Sequence, residues 1–168
     1  ANHGYMMQPH VLDRLEGTAD GVVETTVQRI KRRAVRPRAA HQVTRALKLV
    51  TQEDGTAPEA AVPGYEVAGK TGTAQKVING RYSNEHYVSS FIGYVPADDP
   101  AFVLLVVADD PSENGYYGGT VAGPVFRRIA DQTLRYLQVA PASYSSSGAP
   151  NQSEAMADVS FTSVSNVP

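Results

Sequence analysis

Two apolar stretches, YVSSFIGYVP (87–96) and AFVLLVVAD (101–109), are separated only by ADDP, and this spacing constrains the fold more than any other feature. Both runs are rich in β-branched and aromatic residues and read as strands. So short a connection joins antiparallel neighbours, because a parallel crossover takes a dozen or more residues. The second run is nearly all apolar, as in a strand covered on both faces. Just upstream, Tyr65 to Ile78 carries no helical stripe and ends at Asn79-Gly80, a strong tight-turn signal. A third strand therefore precedes the pair.

Helical patterns flank these strands. Pro37 suits a first helical position, and Ala39, Val43, Leu47 and Val50 share one stripe, with Gly55 as a stop. The spacing predicts a helix over about 38–53. After the glycine-rich PSENGYYGGT (111–120), Val121, Val125, Phe126, Ile129, Thr133, Leu134 and Leu137 mark one face of a second helix. At the N-terminus, residues 5–17 read as extended. Residues 21–33 are rich in β-branched residues, and Asp20-Gly21 is a turn signal between the two segments. An arm or hairpin outside the main core is expected there. From Ala140 onward the chain is mostly Ser, Ala, Pro and Asn, so residues 140–168 are expected to be a disordered tail. The fold class expected for 1–139 is α+β, an antiparallel sheet packed against helices. No internal repeat is present.

Composition excludes little but some chemistry outright. With no cysteine among 168 residues, disulfides, thiol catalysis and zinc-thiolate sites are absent. The formal net charge of -2 gives no reason to expect a nucleic-acid partner. No apolar run approaches the ~20 residues that span a membrane, and no secretion signal opens the chain. The sequence begins at Ala1, which permits a processed or excised piece.

The central motif can be read in two ways. Gly64-x-x-x-x-Gly69-Lys70-Thr71 matches the phosphate-binding P-loop pattern, and FVLLVVADD could supply its magnesium acid. Lys70-Thr71-Gly72 is also the third signature of serine transpeptidases and β-lactamases. A P-loop must follow a buried strand and open directly into a helix. Here TAPEAAVP precedes Gly64, and GTAQKVING reaches its turn too soon for a helix. The strand reading is the one adopted.

On a strand, these residues suit acyl transfer from a D-alanyl-D-alanine end. That chemistry needs a nucleophile, a base, a seat for the terminal carboxylate and donors for the developing oxyanion. Lys70 places a cation where it can polarise hydroxyls and attract the carboxylate. Thr71 and Thr73 offer short, stiff hydroxyl donors. Gly72 keeps the strand surface bare, so a peptide can lie against it as an added strand. The Thr73 backbone amide would supply half of an oxyanion hole.

VAGKTGTAQK, followed by YVSSFIGYVPADDPAFVLLVVADDP and YYGGTVAGPVFRRIADQTLRYL, closely resembles the C-terminal part of class B penicillin-binding proteins. The opening ANHGYMMQPHVL and the helix before the signature also resemble this family, and the division-specific branch is nearest. The resemblance covers residues 1 to about 139. It implies a partial serine transpeptidase/β-lactamase-like fold and peptidoglycan D,D-transpeptidase activity. It further implies peptidoglycan stem peptides as substrates, β-lactam antibiotics as ligands, and no metal or organic cofactor. The implied location is the outer face of the cytoplasmic membrane, beside cell-wall synthesis and division proteins.

The family's other two motifs are missing. None of Lys31, Lys48, Lys70 and Lys76 has a serine three residues before it, so no Ser-x-x-Lys exists. Ser112-Glu113-Asn114 spells Ser-x-Asn but follows Lys70 in the wrong order, and reads as chance. The nucleophile, two strands and most of a helical subdomain are therefore expected in an upstream half of the same domain, and this chain alone is expected to be inactive. Alternatives are a D,D-carboxypeptidase or β-lactamase-type hydrolase, and a catalytically dead penicillin-sensor or scaffold domain.

Other candidates carry less. KRRAVRPR (31–38) reads as a solvated strand end rather than a nucleic-acid patch. His3, His10, His41 and His86 have no metal-ligand spacing, and surface or hydrogen-bonding roles are expected. Ser89 and Ser90 are structural by default. Tyr116-Tyr117-Gly118-Gly119 either borders the substrate cleft or forms a plain flexible loop.

Overall fold

The computed structural model describes residues 1–17, 21–113 and 115–142. The chain opens as an arm of nested antiparallel pairs: β1 (Tyr5–Met7) with β4 (Ile30–Arg33), and β2 (Arg14–Gly17) with β3 (Gly21–Thr25). The Arg33 guanidinium lies 3.9 Å over the Tyr5 ring, and β4 is exposed along its length, as a solvated strand end should be. Asp20 of the expected turn lies outside the described residues.

Helix α1 (Pro37–Lys48) begins at the expected proline but stops earlier than the pattern predicts. A 3₁₀ turn over Leu49–Thr51 extends it, and Gln52 then turns extended. Two contacts fix α1 to the sheet end: Thr44 Oγ1 bonds Tyr94 Oη at 2.7 Å, and Lys48 Nζ reaches Glu66 at 2.8 Å and Asp98 at 2.7 Å.

The centre is an antiparallel meander of β5 (Ala68–Ile78), β6 (Arg81–Val95) and β7 (Phe102–Asp109), in the order β5-β6-β7. Asn79 and Gly80 both take positive φ, as a two-residue hairpin turn requires. Strand β6 starts at Arg81, six residues before the expected Tyr87. The charged and polar start of this strand lacks the apolar alternation that marks its second half.

Helix α2 (Gly118–Tyr136) packs on one face of the sheet. Phe91 of β6 and Phe126 of α2 meet edge to face at 4.8 Å, joined by Val95, Ala122, Ala130 and Leu134. Burial of side chains such as Phe91 and Leu134 contributes about 1.5–3 kcal/mol each. Phe102, Leu104 and Val106 of β7 pack against this cluster from the same face.

The second face of β7 departs from expectation. Val103, Leu105 and Val107 are 54%, 56% and 54% exposed, and Ile92 beside them is 46% exposed. Among the described residues nothing covers this apolar face, although its composition suits a strand covered on both. The start of α2 is a second correction. Gly118, Gly119 and Thr120, expected in a loop, are helical, because the glycines let the helix end approach backbone closely. A Cβ on Gly118 would lie 2.3 Å from the Ser90 carbonyl oxygen and 2.4 Å from that of Gly72.

The fold closes with two bonds after α2. Tyr65 Oη donates to the Val139 carbonyl at 2.6 Å, and the Ala142 amide donates to the Gly64 carbonyl at 3.1 Å. The remainder of the expected disordered tail, residues 143–168, lies outside the described residues.

Candidate functional site

Lys70, Thr71, Gly72 and Thr73 occupy the first half of β5, an edge strand whose outer side is free of partner strands among the described residues. The sequence Gly69-Lys70-Thr71 therefore runs along a strand and opens no helix, which removes the phosphate-loop reading. Register with β6 pairs Lys70 with Ile92, Gly72 with Ser90 and Thr73 with Ser89. Side chains alternate, so Thr71 and Thr73 share the α2 face while Lys70 and Gly72 belong to the other.

Lys70 nevertheless reaches the threonine side. Its Nζ donates to the Thr71 carbonyl at 3.0 Å and to Thr71 Oγ1 at 3.2 Å, curling over the free edge. In an antiparallel ladder, alternate residues direct their backbone groups to the same side. With the Thr71 carbonyl met at the free edge, the Thr73 amide belongs to that edge too. Lys70 and Thr73 are both exposed, and Thr71 and Gly72 half-buried.

Thr73 has a fixed partner. The Gly118 amide, at the start of α2, donates to Thr73 Oγ1 at 3.1 Å. That oxygen's own proton remains available to a ligand. The positive end of the helix dipole stands behind the same hydroxyl, which favours an anion there. Ser89, buried next to Thr73 in the register, donates its hydroxyl to the Tyr116 carbonyl. It is thus structural, as expected.

Three tyrosines flank this point. Tyr87 and Tyr116 stack with centroids 4.1 Å apart at 10°, and Tyr117 follows at 4.7 Å. Tyr116 titrates above the usual phenol range, chiefly through its hydrogen bond with Tyr117. Tyr116-Tyr117-Gly118-Gly119 is thus an ordered border to the Thr73 hydroxyl, half stacked and half helical, rather than a plain loop. The part played by Tyr87 had no sequence signal, since stacking joins residues 29 positions apart.

A charged cluster lies at the far end of the hairpin. Lys76 Nζ contacts Asp109 at 2.9 Å and Asp110 at 3.6 Å, while His86 Nδ1 contacts Asp110 Oδ2 at 2.6 Å. The His86 hydrogen bond holds the Asp110 carboxyl below its usual range, and the bond to Asp109 pushes Lys76 up. His86 so has the hydrogen-bonding role expected of it. Among the described residues no group of His, Asp and Glu is arranged to hold a metal, and no helix is long and apolar enough to cross a membrane. Asn114 of Ser112-Glu113-Asn114 lies outside the described residues.

A groove of about 600 Å³ lined by Glu59, Pro124, Arg127 and Arg128 shares no residue with this edge. An open edge strand bearing a cation, two hydroxyls and a bare glycine suits an extended peptide with a terminal carboxylate.

Residues 1–131 match the family model of the penicillin-binding protein transpeptidase domain. The chain belongs to this family. It is 43% identical over 110 residues to a probable peptidoglycan D,D-transpeptidase PenA of Neisseria flavescens, covering 66% of this chain and 28% of that protein. It is 38% identical over 144 residues to stage V sporulation protein D of Bacillus subtilis, covering 83% of this chain and 22% of that one. Among solved structures, penicillin-binding protein 3 of Mycobacterium tuberculosis in complex with ampicillin matches with a TM-score of 0.73 and 31% identity, over 83% of this chain and 33% of that one. The class B assignment and the α+β transpeptidase fold therefore stand. The chain spans about a quarter of the length of these curated relatives.

Proposed function

We propose that this chain is the Lys-Thr-Gly-bearing part of a peptidoglycan D,D-transpeptidase, and that its β5 edge receives the stem peptide. The observation that carries the reading is the Lys70–Thr73 sequence on a free edge strand, within a chain of this family. A D-alanyl-D-alanine end would add to β5 as a strand, with Gly72 leaving room for it. Thr71 and Thr73 would donate to the terminal carboxylate. The Thr73 hydroxyl suits that task because its oxygen already accepts from Gly118, leaving its proton for the substrate. Lys70 would balance the carboxylate charge, and the Thr73 amide would stabilise the oxyanion.

The nucleophile comes from outside this sequence, which has no Ser-x-x-Lys. An upstream half of the domain would bring the serine and its lysine to the β5 edge and cover the bare face at Ile92, Val103, Leu105 and Val107. The serine would attack the penultimate D-alanine carbonyl, expel the terminal D-alanine, and leave an acyl-enzyme ester. An acceptor amine from a second stem peptide would then release the enzyme. β-Lactams would acylate the same serine, consistent with the ampicillin complex of the mycobacterial relative. The whole protein would be anchored in the cytoplasmic membrane, act on its outer face, and work among cell-wall synthesis and division proteins.

The test uses the full-length protein and a fluorescent penicillin. Lys70→Ala should slow acylation by about a hundredfold or more, a loss of roughly 3 kcal/mol in the barrier. Near-normal acylation of a folded Lys70→Ala protein removes Lys70 from the mechanism. No acylation of the unmodified protein favours the catalytically dead sensor or scaffold alternative. Rapid turnover of the acyl group by water favours the hydrolase.

A further inference from the structure

The β5–β6 hairpin contains an irregularity that the proposed reaction does not use. Pairing is regular to Gln75↔Tyr87 and resumes at Val77↔Tyr82, so Lys76 faces four residues, Ser83 to His86. Such bulges re-aim side chains. Here Lys76 of β5 and His86 of β6 both converge on the end of β7, two strands from Lys76. Lys76 meets Asp109 and Asp110, and His86 meets Asp110. Asp110 itself has φ +56° and donates its amide to the Tyr87 carbonyl at 2.9 Å. It is the first residue of the connection from β7 to α2. That connection ends at Tyr116, stacked on Tyr87, and at Gly118, bonded to Thr73.

We propose that His86 and Lys76 are positioning residues that hold the β7–α2 connection by Asp110, and so keep Gly118 on the Thr73 hydroxyl. This inference rests on the transpeptidase reading above. Holding only one end of the connection would leave Tyr116 and Gly118 free to shift along β6. With Asp110 fixed beside Tyr87 and Tyr116 stacked on it, both ends of the connection register on one residue. The clamp is titratable. Histidine changes charge between pH 5 and 8, and a cationic His86 binds the Asp110 carboxylate more firmly than a neutral one. The charged groups around it are Asp109 at the end of β7, Asp110 just after it, Lys76 from β5, and its chain neighbour Glu85.

The test is the pH profile of penicillin acylation in the full-length protein and three variants, between pH 5.5 and 8.5. The unmodified protein should lose about three- to fivefold in acylation rate across the histidine titration, the population shift an exposed ion pair can supply. His86→Gln should remain low and lack that limb. His86→Lys, a cation at every pH used, should restore the low-pH rate and keep it at high pH. Asp110→Asn should reproduce His86→Gln. A His86→Gln protein with the unmodified profile overturns the proposal, as does a lowered melting temperature with the profile unchanged, which marks a merely structural pair. Absence of acylation in the unmodified protein itself fails the transpeptidase reading instead, and is distinguished by that control.

Discussion

In the proposed reading one Thr73 hydroxyl meets two demands: it accepts from Gly118 and would donate to the substrate carboxylate. Substitutions can separate them. In the full-length protein, Thr73→Ser keeps both bonds and should acylate nearly normally. Thr73→Val loses both, and its acylation by penicillin should fall roughly 10- to 100-fold, the value of a hydrogen bond to a charged group. A penicillin methyl ester, which lacks the carboxylate, should lose far less; equal losses for acid and ester would show that Thr73 acts elsewhere. Charged residues make a second prediction. Lys48 holds Asp98, and His86 holds Asp110, below the usual carboxylate range. A carboxyl with a depressed folded-state pKa contributes stability that is present above its unfolded value of about 3.9 and lost as pH falls through the folded one. The melting temperature should therefore hold to about pH 5 and drop below pH 4. Asp98→Asn and Asp110→Asn should flatten that drop, and an unchanged acid limb in both would show that neither pair acts on stability.

At the scale of elements, local propensity and tertiary contact disagree most at the start of α2. Glycine is a poor helix former, and Gly118-Gly119 reads as loop, yet both are helical and buried. A Cβ on Gly119 would lie 2.3 Å from the Thr56 carbonyl oxygen, which is backbone and cannot swing away. Gly119→Ala gains about 1 kcal/mol in helix propensity. It should nevertheless lower stability, because overpacking of this kind costs about 1–3 kcal/mol. A melting temperature above that of the unmodified protein would refute the close-packing argument. The same conflict limits what the sequence reveals. The meander was legible because alternation and the Asn79-Gly80 turn agree with the sheet. The first turn of α2 was not, since its glycines answer to Gly72, Ser90 and Thr56, far away in sequence. Lys70, Thr71, Gly72 and Thr73 could be found from their motif. Tyr87, Gly118 and the Lys76–His86–Asp110 cluster could not, because only the register of the folded strands brings them together.

For the molecule as a whole, one face of the sheet is finished and the other is not. Phe91, Phe126 and Leu134 close the α2 side, while Ile92, Val103, Leu105 and Val107 present a contiguous apolar patch to solvent. Among the described residues the outer edges of β5 and β7 have no partner strand, and exposed edges of this kind invite aggregation. This chain, purified alone, should therefore be poorly soluble and should not be labelled covalently by a fluorescent penicillin. An oxyanion donor without a nucleophile has no tetrahedral intermediate to stabilise. Supplying the proposed upstream half of the domain as a separate chain should cover the patch, bring the expected serine to Thr73 and restore labelling. Placing two carboxylates on the patch, with Leu105→Asp and Val107→Asp together, should abolish this complementation. Both positions face away from α2, so the packing of that side should survive, and the paired substitution tests the patch alone. Labelling of the lone chain, at Ser89 or Ser112, would place the nucleophile within it. A folded two-chain complex that does not label would favour the catalytically dead sensor or scaffold domain, with the same architecture but no acyl transfer.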